Sequence, residues 1–580
     1  MIIVMSVIFV GHARAGVGYK TAFVGVTGSL ETTIEEASLL VSLRKHEPAS
    51  FAALRDRTRR DIARLTAVLE SEGYYDADLD ETIDRTQEPY RVTITIKPGT
   101  RYVFAPPIII PVAGYAGADW SPGEAENHGL EAGDPARAAA ILNAETAVIE
   151  ARQRSAWPFA RITDRRVVVD SASKRVSVTY TLDPGPFCRF GDVTILGLEH
   201  IQPSYVRRRL LWTEGDPYDQ RMVEKTRREL IASGLFSVVS ITPERPAKPG
   251  AAAGMIIKVQ ERVRRSVTFG GGYDTGEGLE ASTSWEHRNL FGGAQDLKTE
   301  ATAGQSKNAV SLDYRRPDFW GVNQDLVASI GFDNEILDAF HTIAQQVSLG
   351  IDWRPRQTLE VQASIMADHA RINEIVQSRT YTLVGLPVVF KWDNSDDPLS
   401  PTEGYRLDLS GTPYLGALGS QLTFVQLQAT GTTYRKLDQD AAYVLAAQTM
   451  LGATGGASLN AIPKDHRLYA GGGGSVRGFS FQKAGPQDIY SNSIGGRSLF
   501  ETSLELRIRL NERFGLVPFT DIGSDYPSSL PNLSSLYEGF GLGLRYYSAI
   551  GPIRLDLATP LNPHQNDSPI QVYVGLGQAF

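Results

Sequence analysis

One arginine on a glycine-rich loop and two carboxylates on later segments are the residues whose types and spacing point to chemistry, and that chemistry is ion pairing. Residues 467 to 481 read Arg-Leu-Tyr-Ala-Gly-Gly-Gly-Gly-Ser-Val-Arg-Gly-Phe-Ser-Phe. Gly471 to Gly474 let the backbone turn where side chains would clash, and Val476-Arg477-Gly478-Phe479 then sets one permanent cation among apolar neighbours. The loop lies in an irregular stretch from about residue 453 to 496, a length that marks functional or disordered segments. Strand alternation turns Asp521 of Phe519-Thr520-Asp521-Ile522-Gly523 away from Thr520 and Ile522, and turns Glu505 away from Leu504 and Leu506. If the loop folds inward, the guanidinium fork of Arg477 can meet Asp521, Glu505 or both. A solvated arginine on an ordinary surface loop is the alternative. On the inward reading, the swap Arg477→Asp with Asp521→Arg is expected to recover part of what either change removes.

No catalytic signature competes with this reading. In Gly473-Gly474-Ser475-Val476-Arg477 an arginine stands where a nucleophile elbow needs its second glycine, and no Lys-Ser/Thr follows the glycine run to make a phosphate loop. The histidines are scattered, without His-Glu-x-x-His. A single cysteine, Cys188, excludes an internal disulfide and reads as a small buried hydrophobe. The chain is therefore expected not to be an enzyme, with no metal and no cofactor. A net charge of −8 argues against nucleic acid as a partner.

The elements that must position these residues follow from periodicity. After about residue 263 helical spacing gives way to alternation, as in Leu504, Leu506, Ile508 and Leu510 around Glu505, Arg507 and Arg509. Phe540, Leu542, Leu544 and Tyr546 around Arg545, and Ile553, Leu555 and Leu557 around Arg554 and Asp556, repeat the pattern. About sixteen such segments are predicted, starting near 265, 279, 295, 308, 323, 341, 357, 378, 404, 421, 440, 497, 513, 537, 552 and 569. Their number and length fit a closed transmembrane barrel with a polar lumen, and Trp285, Trp353, Trp392 and Tyr547 fall near strand ends where aromatic girdles lie. No stretch approaches the ~20 apolar residues of a membrane helix, so a membrane-embedded chain must cross as a barrel. Its first and last strands, near 265 to 274 and 569 to 580, are glycine-rich: Gly270, Gly271 and Gly272 face Gly575, Gly577 and the terminal Phe580 across an expected lateral seam. Glycine weakens strand pairing, so this seam could open sideways; relief of crowding in the wall is the plainer reading.

The first half repeats strand, two helices and two strands three times. Helix stops near Gly73, Ala156 and Gly234 recur at a steady spacing, and Pro98-Gly99 and Pro184-Gly185 punctuate the junctions. The units are read as residues 20–99, 100–185 and 186–262, with the barrel at 263–580. Pro107, Pro111 and the Gly/Ala-rich stretch 113 to 133 predict a distorted first strand or an insertion in the second unit. Arg207-Arg208-Arg209 reads as a solvated helix face. Residues 1–15, with an apolar run and Ala13-Arg14-Ala15, read as a signal peptide, and the missing basic region suggests a truncated start.

The Arg-Leu-Tyr-Ala-Gly-Gly…Ser-Val-Arg-Gly-Phe run, with Phe519-x-Asp521-x-Gly523 on a later strand, resembles the sixth-loop and strand motifs of the bacterial surface antigen family. These are outer-membrane β-barrels carrying periplasmic α+β POTRA repeats, and the resemblance covers nearly the whole chain after the signal. Three repeats and the tail from Gly539 to Phe580 resemble its TamA branch. That resemblance implies assembly of outer-membrane or autotransporter-like proteins at the lipid bilayer, an inner-membrane-anchored TamB-like partner, and a part in phospholipid transport. A two-partner secretion pore and a passive porin with binding modules are the rivals.

Overall fold

The computed structural model describes residues 16–113, 129–246, 251–275, 277–337, 339–374, 377–548, 551–565 and 567–580. The expected signal peptide and most of the stretch 113–133 lie outside the described residues. The described residues form two compact units, one within 16–196, 211–228 and 240–258, the other within 197–210, 229–239 and 259–580.

The repeats share one plan, a three-element sheet in which the last strand lies between the first, parallel to it, and the second, antiparallel to it. In the first repeat Leu54, Leu65 and Leu69 of the helix Phe51–Ser71 pack on Val92, Ile94 and Ile96 of the strand Tyr90–Lys97. The second repeat has a broken first strand, Val103–Phe104 and then Ile108–Pro111, because Pro106 and Pro107 between them lack the N–H a ladder needs. Both pieces pair with Arg175–Asp183. The third repeat pairs Phe190–Leu196 with Ala253–Glu261. Gly73, Ala156 and Gly234, the three expected helix stops, all have positive φ (94°, 74° and 73°), so an alanine here holds a conformation that its homologous positions give to glycine. Cys188 is buried and reduced.

The second unit contains a closed antiparallel barrel of sixteen strands, as the alternation predicts, with starts within three residues of those expected. The eighth strand is interrupted: Ser378–Gly385 and Val388–Asp393 flank Leu386-Pro387, and both pieces pair with Leu359–Glu374 and Gly404–Gly416. Pro387 donates nothing, while its carbonyl still accepts the Ser364 N–H at 3.0 Å. The wall is inverted relative to a soluble protein. Leu504, Leu542, Leu544, Leu555 and Leu557 are exposed, whereas the interleaved Glu505, Arg507, Arg545 and Asp556 are buried. Apolar side chains outside and charges within are what a hydrocarbon surround and a polar interior require. Trp285, Trp353 and Trp392 face outward at the end of the barrel where the first strand begins.

Two readings are corrected at the tail and in the third repeat. The last strand runs from Gln571 to Leu576 and stops, because Gly577 (φ 91°) turns the chain out of the wall and into the lumen. Gly577 and Phe580 therefore lie beyond the last strand. Of the three arginines expected to be solvated, Arg207 and Arg208 are exposed, but Arg209 is buried and ion-paired to Asp318 at 2.9 Å.

Candidate functional site

Residues 456–497 leave the strand Tyr443–Gly455, cross the barrel interior and return as the strand Ser498–Arg509. Midway along this path Arg477 is only 1% exposed. Its Nε and Nη2 donate to Oδ2 and Oδ1 of Asp521 at 2.7 and 2.9 Å, a bidentate fork, and its backbone N–H donates to the same carboxylate at 3.0 Å. Nη1 reaches Glu505 at 2.8 Å and Asp556 at 3.3 Å. The Phe519 ring lies under the guanidinium, 3.5 Å from Cζ to centroid. The structure thus brings Arg477, Asp521 and Glu505 together on the lumen face of adjacent strands, Ser498–Arg509 and Phe514–Tyr526.

Four partners in this cluster went unassigned from sequence. Asp556 contacts Arg477 and Arg545; Arg507 donates to Glu505 at 3.0 Å; and Arg554 lies 3.7 Å from Asp556. Alternation gives each of these an inward face, but who meets whom depends on barrel closure. The two ends of the tail also enter the cluster: Arg545 donates to Gln578 at 2.9 Å and Arg507 to the Phe580 carbonyl oxygen at 2.7 Å.

The rest of the motif explains itself by packing. Gly478 has φ 107°, and a Cβ there would approach the Thr559 carbonyl to 2.9 Å. Across from it, a Cβ on Gly539 would run into the Arg477 carbonyl oxygen, so the wall too must lack a side chain where the loop touches it. Val476 and Phe479 are buried in a small apolar cluster with Leu468, Ala470, Ala484 and Leu499. The Tyr573 hydroxyl accepts the Gly478 N–H at 3.1 Å and donates to the Phe479 carbonyl at 3.1 Å, tying the loop to the last strand.

The seam is short. Arg265–Asp274 pairs over its whole length with the second strand, but with the last strand only through Tyr273↔Val574 and Asp274↔Tyr573. Thr275 adds bonds to Val572 on the outer side. From Arg265 to Gly272 no strand pairs with the other edge among the described residues. Gly270, Gly271 and Gly272 lie on that free edge, while Gly575 pairs with Arg554 of the neighbouring strand.

A sixteen-stranded barrel with an apolar outer wall, a charged lumen and a loop pinned inside is an outer-membrane β-barrel closed by its own chain. The chain belongs to the Omp85 superfamily, whose domain matches residues 289–580, and residues 188–262 match the surface antigen variable number repeat, POTRA. The barrel lies in the outer membrane and the POTRA repeats in the periplasm. The chain is similar to the outer membrane protein assembly factor BamA of Neorickettsia risticii, 23% identical over 559 residues covering 91% of this chain and 73% of that one. It is similar also to a SAM50-like protein of Schizosaccharomyces pombe, 22% identical over 65% of this chain and 87% of that one. The BamA of Nitratidesulfovibrio vulgaris is 25% identical, with 70% of this chain matching 53% of its length. Among solved structures, BamA from Haemophilus ducreyi lacking POTRA domains 1–3 superposes with a TM-score of 0.66 at 19% identity, covering 82% of this chain and all of that chain.

Proposed function

We propose that this protein is an outer-membrane assembly factor: it inserts or translocates client proteins by offering them a strand edge at its lateral seam, while the internal loop keeps the lumen shut. The observation that carries this reading is the free edge from Arg265 to Gly272 beside a seam of two residue pairs. An unpaired ladder of N–H and C=O groups at membrane depth is costly, and a client strand pairing there satisfies it. Continuing the observed register would set Gly575 against Gly272 and Gly577 against Gly270, so a straightened tail could close the same edge that a client would occupy. The assembly role of the relatives' names is in keeping with this.

The finer reading is that the three repeats recruit a TamB-like inner-membrane-anchored partner and autotransporter-like clients, with lipid passing along the same route. The order of three repeats before the barrel supports it. Deleting residues 20–98 should then abolish co-purification with the partner while the barrel stays heat-modifiable; retained co-purification refutes recruitment by the first repeat. For the gate, a disulfide between cysteines at Tyr273 and Val574 should stop client insertion and reduction should restore it. Undiminished insertion with the seam locked contradicts the proposal.

A further inference from the structure

The loop has a second foot that the arginine latch does not explain. Residues 464–469 dock on strands six to ten of the barrel, the wall opposite the seam, whereas Arg477 docks on strands twelve, thirteen and fifteen. At the far foot His466 Nε2 meets Asp368 Oδ2 at 3.0 Å, and its ring stands edge-on to Tyr381, Tyr414 and Phe424 with centroids 5.5, 5.0 and 5.7 Å away. Asp465 accepts the Tyr381 hydroxyl at 2.6 Å. The Gln426 amide donates to the His466 carbonyl at 3.2 Å, the Thr342 hydroxyl of strand six to Asp465 at 3.4 Å, and Lys464 to the Ala339 carbonyl just before that strand at 3.2 Å. Five adjacent strands thus hold one short turn through side chains, backbone and rings.

Between this foot and Arg477 lie the four glycines. Gly471 and Gly472 have φ of 109° and 110°, and Ser475 is held by Glu501 on one side and the Gly471 N–H on the other. The two anchored pieces also touch each other, through Leu468 and Ala470 against Val476 and Phe479 and through the Ala484 N–H on the Ala470 carbonyl at 2.9 Å, so a swing must part these contacts, and the run without side chains is where the accompanying rotation costs least. We infer that the loop is a strap with a fixed pivot: the His466–Asp368 foot stays on the far wall, and the glycine run is the hinge about which the Arg477 end swings free of the seam-side wall. The two feet have different duties, since the far one retains the strap in the lumen after the latch has opened. This holds whether or not the barrel assembles clients, and its test reads occlusion and loop position.

The full chain is reconstituted in planar bilayers and, separately, exposed to trypsin from the outer side. Arg477→Ala should give brief, partial openings, because the strap remains tethered. Arg477→Ala combined with His466→Gln and Asp368→Asn should give sustained openings at least several-fold larger. Heat-modifiability on gels checks that each barrel is folded. With only the latch removed, trypsin should cut at Lys483 while sparing Lys464 and Arg467. Equal conductance of the single and triple variants, or cleavage at Lys464 as fast as at Lys483 in Arg477→Ala, overturns the pivot.

Discussion

Removing both members of the Arg477–Asp521 pair should cost far less than the two single removals added together. In the ion-pair cluster around Arg477, four arginines (477, 507, 545 and 554) face three carboxylates (505, 521 and 556) among the described residues. Arg477→Ala takes from Asp521 the one cation it pairs with among the described ion pairs, while Glu505 keeps Arg507 and Asp556 keeps Arg545. A fully buried carboxylate left so costs about 3 to 5 kcal/mol. Asp521→Ala is milder, because Glu505 and Asp556 still hold the guanidinium, but it leaves four cations to two carboxylates. The double change strands neither charge, so its cost should fall short of the sum by at least ~2 kcal/mol. The quantity to measure is the undocked population of the loop, read as the rate of tryptic cleavage at Lys483 from the outer side when reclosing outpaces cutting. A loss of ~3 kcal/mol raises that rate roughly 100-fold, at tenfold per 1.4 kcal/mol. Strict additivity in this cycle would refute the coupling. The same geometry revises the expectation for the charge swap: an aspartate at 477 would face Glu505 and Asp556, so Arg477→Asp with Asp521→Arg should recover nothing.

Other outcomes follow from single contacts. Gly539→Ala should undock the loop and speed cleavage at Lys483 as Arg477→Ala does, whereas Gly431→Ala, whose Cβ would meet nothing within 4 Å, should leave the rate unchanged. Arg209→Ala leaves the Asp318 carboxylate buried without its cation, a cost of about 3 kcal/mol or more, and should raise hydrogen exchange across residues 197–210; unchanged exchange would mean the pair holds nothing. Asp76 in the first repeat accepts from Lys174 and from Tyr102 (2.8 Å) in the second, and Lys174 first, then Tyr102, hold it below its ordinary 3.8. Its folded value being depressed, the linkage contributes stability above pH 3.8 that is lost as pH falls through the folded value. Pepsin cleavage between residues 97 and 103 should therefore accelerate with acidification, and Asp76→Asn should show the fast rate throughout the series.

Strand positions were legible because the chemical contrast between lipid and lumen is written residue by residue, as in Leu504-Glu505-Leu506-Arg507. Partners were not, since Asp556 meets Arg477 only through the order in which strands close and the depth to which the loop descends, both non-local. Asp521 and Glu505 could be named as candidates because one strand separates neither from the other, and their motif and alternation agreed. The tail misled for the opposite reason: Ile570, Val572, Val574 and Leu576 alternate as a continuous strand, but Gln578 and the Phe580 carbonyl find arginines inside the lumen and the chain turns at Gly577 to reach them. Arg209 shows the same limit, because its neighbours Arg207 and Arg208 are solvated and nothing in the triplet distinguishes the buried one.

On the proposed function, the edge Arg265–Gly272 receives a client strand. A photo-crosslinking amino acid placed in turn at Val267, Phe269 and Gly271 of the full-length protein, during synthesis of an outer-membrane barrel client in cells, tests it most directly. Crosslinks to the terminal strand of the client are expected from these positions, and none from the outward-facing Ile365 or Leu409 on the wall opposite the seam. Equal crosslinking at both places, or none at the edge while the client continues to insert, would contradict it.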